Sequence, residues 1–142
     1  MEGVTYRSET NPITYRLDGD PIPLARIRIS RSSFRIYDSQ KELKLVTQIT
    51  LKNQHGDRKL YKGPIRVDAI FYFHIPKTHK DTKPGYYHVF KPDVDNLCKM
   101  ILDVGNSTLF HDDCIVSEIT CKKVYGDPPR TEFTIYQLEN HE

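Results

Sequence analysis

The sequence predicts an α+β domain built on a mixed β-sheet with two main helices. Three observations carry this. Ile65, Val67, Ala69, Phe71, Phe73 and Ile75 fall at every second position, the period of a strand. Val94, Leu97, Cys98, Met100, Ile101 and Val104 fall on one broad arc at 100° per residue, with Asp95, Asn96, Lys99 and Asp103 opposite, the pattern of an amphipathic helix. Residues 115–125 and 130–138 read as two further strands around the turn Gly126-Asp127-Pro128-Pro129, plausible as a hairpin.

The remaining elements follow in order. Residues 1–12 are polar and are expected to form a flexible N-terminal segment, leaving 13–142 as one domain. Ile13 to Leu17 alternates apolar and polar residues and predicts a strand, which Gly19-Asp20-Pro21-Ile22-Pro23 breaks. Ala25 to Ile29 alternates again, with Arg26 and Arg28 on one face, and Phe34 to Tyr37 is a short extended piece. Ser39-Gln40-Lys41-Glu42 has the form of a capping box and opens a helix to about Asn53, with Leu43, Val46 and Ile49 expected on its inner face and Gly56 beyond its end. The strand over 65–75 is expected to be central, and Pro76 ends it. Residues 77–90 form a long Lys/His/Tyr-rich loop with Pro84-Gly85 as a turn signal, and a loop of this length in a small domain is usually functional. The second helix runs from about Asp93 to Val104 and stops at Gly105-Asn106.

Composition bounds the function classes. Of 142 residues, 28% are charged and 37% hydrophobic, which fits a globular, soluble chain. No apolar run approaches the roughly 18–20 residues that span a bilayer. The opening MEGVTYRSETNP has no apolar centre of the kind a signal peptide needs, so a cytoplasmic protein is expected. Cys98, Cys114 and Cys121 are odd in number and lack the close pairs of a zinc site; they are expected to be free thiols, with no disulfide framework.

The densest chemistry lies in Lys91-Pro92-Asp93-Val94-Asp95-Asn96, with Lys99 beyond it and Asp112-Asp113 after the next turn. Asp93 could serve as a helix cap, Asp95 could favour the helix dipole, and Lys99 could pair with it at i,i+4. Three features argue for more. Lys91-Pro92 imposes an extended approach to the helix, so Asp93 and Asp95 can converge at a loop-to-helix junction instead of pointing apart. Asp95 and Lys99 share a face the core does not need. Asp112-Asp113 follows after a short connection that can return it toward that face. Clustered carboxylates suit a hard divalent cation, which takes a few protein oxygens, keeps water and adds substrate phosphate. An EF-hand is excluded, because its fifth and sixth positions hold Leu97 and Cys98. His111, Glu118 and Asp103 are weaker candidates: a surface histidine, an accessory ligand and an electrostatic partner. No Ser/His/Asp arrangement, P-loop or G-x-G-x-x-G is present.

Net charge is only +2, but its distribution is uneven. Arg26, Arg28, Arg31 and Arg35 sit in one segment; Lys77, Lys80, Lys83 and Lys91 sit in another among His79, His88, Tyr86 and Tyr87; Lys122 and Lys123 close the set. Clustering ahead of the carboxylates points to a phosphate-backbone footprint, with Arg26, Arg28, Lys77, Lys80, Lys83, Lys91, Lys122 and Lys123 as its residues.

The combined pattern K-P-D-V-D-N-L-C-K-M-I-L-D, D-D-C-I-V-S-E and K-K-V-Y-G, with the earlier G-D-P-I-P-L-A-R-I-R, resembles the RusA family of Holliday junction resolvases over roughly residues 13–138. The chain departs from many relatives at Val104-Gly105 and in lacking a glutamine after the acidic pair. The resemblance implies a RusA-like fold and a magnesium-dependent endodeoxyribonuclease, with manganese able to substitute. Such an enzyme acts in DNA recombination and repair, resolving four-way junctions by paired symmetric nicks that leave 5′-phosphate and 3′-hydroxyl ends. It implies metal ligation by Asp93, Asp95, Asp112 and Asp113, catalytic roles for Asp93, Asp95, Lys99 and Asp113, and a homodimer matched to a two-fold substrate. The alternatives are a less selective metal-dependent nuclease of branched DNA, or a DNA-binding protein without catalysis.

Overall fold

The computed structural model describes residues 4–6, 12–25, 28–29, 36–37 and 39–140, with the backbone alone for 4–6, 28–29 and 36–37. The strands are β1 (Val4–Tyr6), β2 (Ile13–Asp18), β3 (Arg28–Ile29), β4 (Ile36–Tyr37), β5 (Ile65–Phe73), β6 (Val116–Tyr125) and β7 (Arg130–Asn140); the helices are α1 (Lys41–His55) and α2 (Val94–Gly105). This is the α+β arrangement expected, a mixed sheet with two helices.

β5 is central, as its alternation predicts. Ile65, Val67, Ala69 and Phe71 are buried. β5 runs parallel to β6 on one side and antiparallel to β7 on the other. The outer edge of β7 carries β2 along residues 130–135 and β1 along 138–140. β6 and β7 therefore do not form the hairpin the turn sequence suggests, because β5 lies between them. A parallel partner must arrive by a crossover, and α2 with its flanking loops makes the one from β5 to β6. β3 and β4 form a separate two-stranded ribbon, Arg28 opposite Tyr37.

α2 packs most of its predicted face inward: Leu97, Met100, Ile101 and Val104 are buried with Tyr15, Phe71, Phe133 and Ile135, while Val94 in its first turn is exposed. Its last residue, Gly105, faces the ring of Phe110, and a Cβ there would meet that ring at 2.6 Å. α1 differs from expectation. It starts at Lys41 with no side-chain cap, and the Gln40 amide instead receives the Ala25 N–H at 2.7 Å and donates to the Pro23 carbonyl at 2.9 Å. Its inner face is also not the predicted one. Leu51 and His55 are buried, the latter bonded to the Tyr15 hydroxyl at 2.6 Å, whereas Val46 is 62% and Ile49 53% exposed. The helix is anchored by its C-terminal turn, and Leu43 and Val46 line an open groove with Phe71, Leu97 and Met100 instead of closing on them.

The cysteines correct the sequence reading as well. Cys98 on α2 and Cys121 on β6 are joined as a disulfide, while Cys114 is free and exposed. Twenty-three residues separate the joined pair, a spacing with no local signature; the helix-to-strand crossover brings them together. No helix among the described residues is long and apolar enough to cross a membrane.

Candidate active site

Asp93 occupies the capping position of α2, with φ −70° and ψ 143°, yet its side chain makes no capping hydrogen bond. The bland explanation for an aspartate at that place therefore does not hold here. Two contacts fix the junction around it. The Lys123 ammonium donates to the Phe90 carbonyl and to the Pro92 carbonyl, the latter at 2.7 Å, clamping the chain just before Asp93. The Leu24 N–H donates to the Asn96 carbonyl at 3.0 Å and lays the proline-rich 21–25 segment against the start of α2. Between that segment and the helix lies an open cleft of about 460 Å³, lined by Pro21, Pro23, Leu24, Lys91, Pro92, Asp93 and Asn96. Asp95 and Lys99 are exposed on the helix one turn apart.

Asp112 and Asp113 open a short 3-10 turn, Asp113–Ile115, ahead of β6. The Cys114 N–H donates to the Asp112 carboxylate at 3.4 Å. The two neighbouring carboxyls also shift each other's pKa in opposite directions through a mutual side-chain hydrogen bond. The bond from Asp113, with help from the Cys114 N–H, holds Asp112 below its usual value. The same bond, then burial and the charges of Asp112 and Asp103, lifts Asp113 above its own. Two adjacent carboxylates cannot both ionise without repulsion, and a proton between them relieves it.

The two acidic pairs do not form one pocket. Among the described residues, no three His, Cys, Asp or Glu side chains converge closely enough to hold a metal ion. The single pocket of four carboxylates expected from the sequence is thus not assembled within one chain, for two reasons. A 12-residue helix is about 18 Å long, and Asp95 lies in its first turn while the second pair lies beyond its last. The connection that was to swing that pair back folds tightly on the helix end instead. The Leu109 and Phe110 N–H groups donate to the Gly105 carbonyl, and Tyr61 and His111 exchange further backbone bonds with the same segment. Leu109 and Phe110 are fully buried there. Asp103 is an ion-pair partner of Lys44 at 3.0 Å, in line with its predicted electrostatic role. His111 and Glu118 are exposed.

Of the predicted basic footprint, Lys77, Lys80, Lys83, Lys91 and Lys122 are exposed. Lys123 is not a free surface cation, since two loop carbonyls hold its ammonium. The strand register brings Lys123 under the loop, which its place in the sequence does not show. Arg26, Arg31 and Arg35 lie outside the described residues, as does the side chain of Arg28. Val89 and Phe90 also stand exposed in this segment, two apolar residues inside a polar loop that the charge pattern alone does not single out.

The family model of the endodeoxyribonuclease RusA matches residues 18–136, most of the chain, including both acidic pairs and the lysine-rich loop. The chain belongs to the RusA family. It is also similar to the uncharacterized protein YqaN of Bacillus subtilis (strain 168), 26% identical over 137 residues that cover 89% of this chain and 96% of the relative. Membership in the RusA family makes phosphodiester cleavage in DNA the chemistry against which the two acidic pairs and the lysine-rich loop are to be read.

Proposed function

We propose that this protein is a magnesium-dependent endonuclease that resolves four-way DNA junctions by paired symmetric nicks, acting as a homodimer inside the cell. One observation carries the reading. In a chain of an endodeoxyribonuclease family, α2 is bracketed by two aspartate pairs, one at a capping position where it caps nothing and one on the short turn ahead of β6.

The donor chemistry fits a magnesium ion at the level of pairs. Magnesium asks the protein for one or two carboxylates and takes its other ligands from water and substrate phosphate, so a three-carboxylate cage is not required. Asp93 with Asp95, and Asp112 with Asp113, would hold it. When bound, it would polarise the scissile phosphate and lower the pKa of an attacking water. The chain's own residues do the rest. Lys91, at the mouth of the cleft, and Lys77, Lys80 and Lys83 on the preceding loop attract and register the phosphate backbone. Lys99, on the exposed face of α2, stabilises negative charge that builds on the phosphoryl oxygens. Asp93 and Asp95 lie at the positive end of the helix dipole, which favours carboxylates there.

The test is cleavage of matched four-way, flap and linear DNA with and without magnesium, manganese serving as a substitute ion. Magnesium-dependent paired nicks on the four-way substrate, far faster than on the others, are expected. Equal rates on all three would replace this reading with a less selective nuclease, and binding without cuts would reduce it to a DNA-binding protein. A monomeric mass at micromolar protein would remove the dimer.

A further inference from the structure

Among the described residues, the two apolar side chains most open to solvent, Val89 at 78% and Tyr87 at 73%, share one short stretch with Phe90 at 60%. Exposed aromatics on a slack loop would fold back onto the nearest apolar surface. This loop is held so that they do not. The Gly85 N–H donates to the Tyr125 carbonyl at 2.8 Å, the Tyr125 N–H to the Tyr86 carbonyl at 2.9 Å and the His88 N–H to the Lys123 carbonyl at 3.1 Å. Tyr87 pairs with Val124 in an antiparallel bridge, so the stretch runs along β6 like a further strand. His88 turns inward, its ring stacked on Phe73 at 3.9 Å and packed against Tyr125 at 5.1 Å. Its neighbours Tyr87 and Val89 point outward by the alternation of a strand. The Lys123 clamp fixes the Phe90 carbonyl, and the Phe90 ring stands 6.0 Å from His88 and 6.4 Å from His79 without being covered. The result is a rigid apolar ridge, already ordered before any partner arrives.

We propose that Tyr87, Val89 and Phe90 form a wedge that stacks on unpaired or splayed bases at a DNA branch point and selects branched over linear DNA. The occupant is argued from what surrounds the ridge. Lys80, Lys83 and Lys91 flank it in the chain and are exposed, and Asp93 follows three residues after Phe90. Lysine is depleted at protein–protein interface cores, whereas lysines interleaved with exposed aromatics match a strand whose phosphates are gripped while its bases stack. Three residues span at most about 10 Å, about three nucleotide steps along a strand, so a base on Phe90 lies within a few nucleotides of a phosphate at Asp93. Phosphate contacts alone cannot distinguish a junction from a duplex, since both carry the same charge. A wedge can, because bases at a branch point are cheaper to unstack than bases inside a duplex.

The wedge takes its substrate class from the proposed nuclease function, but it is tested separately. Full-length protein is mixed, without divalent metal, with a four-way junction carrying 2-aminopurine at the branch point, and with a linear duplex. The wild type is expected to raise the fluorescence on the junction. The Phe90→Ala and Tyr87→Ala variants are expected to lose that rise and to bind the junction roughly tenfold or more weaker, with duplex affinity unchanged, and Phe90→Trp to restore both. Thermal melting identifies a variant that has not folded, and Tyr87→Phe, which keeps the ring, then serves as the folded control. An unchanged fluorescence rise and junction-to-duplex ratio in the doubly substituted folded protein would overturn the wedge. A loss of dimer mass with the rise intact would assign the ridge to a protein contact instead. A Phe90-dependent rise in a protein that cuts nothing in magnesium would keep the wedge and remove the nuclease. Failure to bind any branched DNA would remove the wedge itself.

Discussion

The two acidic pairs differ in what surrounds them, and the difference is instructive. Asp93 and Asp95 stand at the start of α2, where the free N–H groups and the macrodipole favour negative charge, and a backbone clamp from β6 holds the approach to them. Asp112 and Asp113 stand past the end of the same helix, on a tight turn, with Asp103 as a further negative neighbour. There the two adjacent carboxyls act on each other, holding Asp112 below its usual pKa and lifting Asp113 above its own. The first pair stands where a helix dipole favours negative charge; in the second, two neighbouring carboxyls repel each other, a repulsion that a bound cation would relieve. One helix thus separates an acidic pair supported by a helix dipole from one in which adjacent carboxyls oppose each other.

Substitutions can break this comparison. The largest effect is expected from Asp95→Asn, which should cut turnover in magnesium by about 100-fold or more while junction affinity holds, since affinity rests on the lysines. Single-turnover cleavage beside a binding titration measures it, and unchanged turnover would remove the first pair from the chemistry. Next comes Asp113→Asn. Cleavage should fall about 10- to 100-fold, and the metal-free fold should be no less stable, because a repulsion has been removed. In the wild type, magnesium at ten times its Kd should add about 1.4 kcal/mol, a rise in Tm of roughly 4–6 °C. Asp113→Asn should reduce that rise by the share of the second pair, and a full rise in the variant would remove that pair from magnesium binding.

Two smaller effects sharpen the picture around the first pair. Lys123→Met removes two hydrogen bonds to loop carbonyls and should cost about 1 kcal/mol in urea unfolding, with cleavage reduced and the salt slope of DNA binding unchanged. A lower salt slope would mean that Lys123 touches DNA after all. His88 should give the smallest effect. Burial, then the neighbouring Lys123, holds its pKa below the ordinary 6.5. The unfolded chain therefore takes up this proton first as pH falls, so stability should drop as pH passes down through 6.5 and level off below the folded value. His88→Phe, which retains the stack on Phe73, should flatten that part of the profile; an unchanged profile would show that His88 does not contribute.

Much of this was legible in the sequence because it is local. The two-residue period of β5 and the inward arc of α2 are each written in consecutive residues, and both appear as expected. The α1 face was misread because Leu43, Val46 and Ile49 satisfy helical periodicity whether or not a sheet lies beneath them. The β6–β7 hairpin was misread for a similar reason: a good turn sequence joins two strands without saying that a third comes between them. The candidate site divides along the same line. The acids and lysines were visible as residue types at suggestive spacings. That Asp93 does not cap, that Lys123 is tied to the backbone, and that Phe90 stands uncovered depend on partners 3 to 33 residues away.

By itself, the sequence determined the period of the central strand, the period and extent of the second helix, the membership in a nuclease family, and the supply of carboxylates and cations, because each is written in the order of residues along the chain. Tertiary structure alone decided which strands pair, which helix face is buried, how the cysteines meet, and that the acids form two pairs bracketing a helix. Those outcomes depend on which distant surfaces compete to cover the same apolar sheet, and on the reach of a rigid helix between two turns, neither of which is encoded at any single stretch of residues.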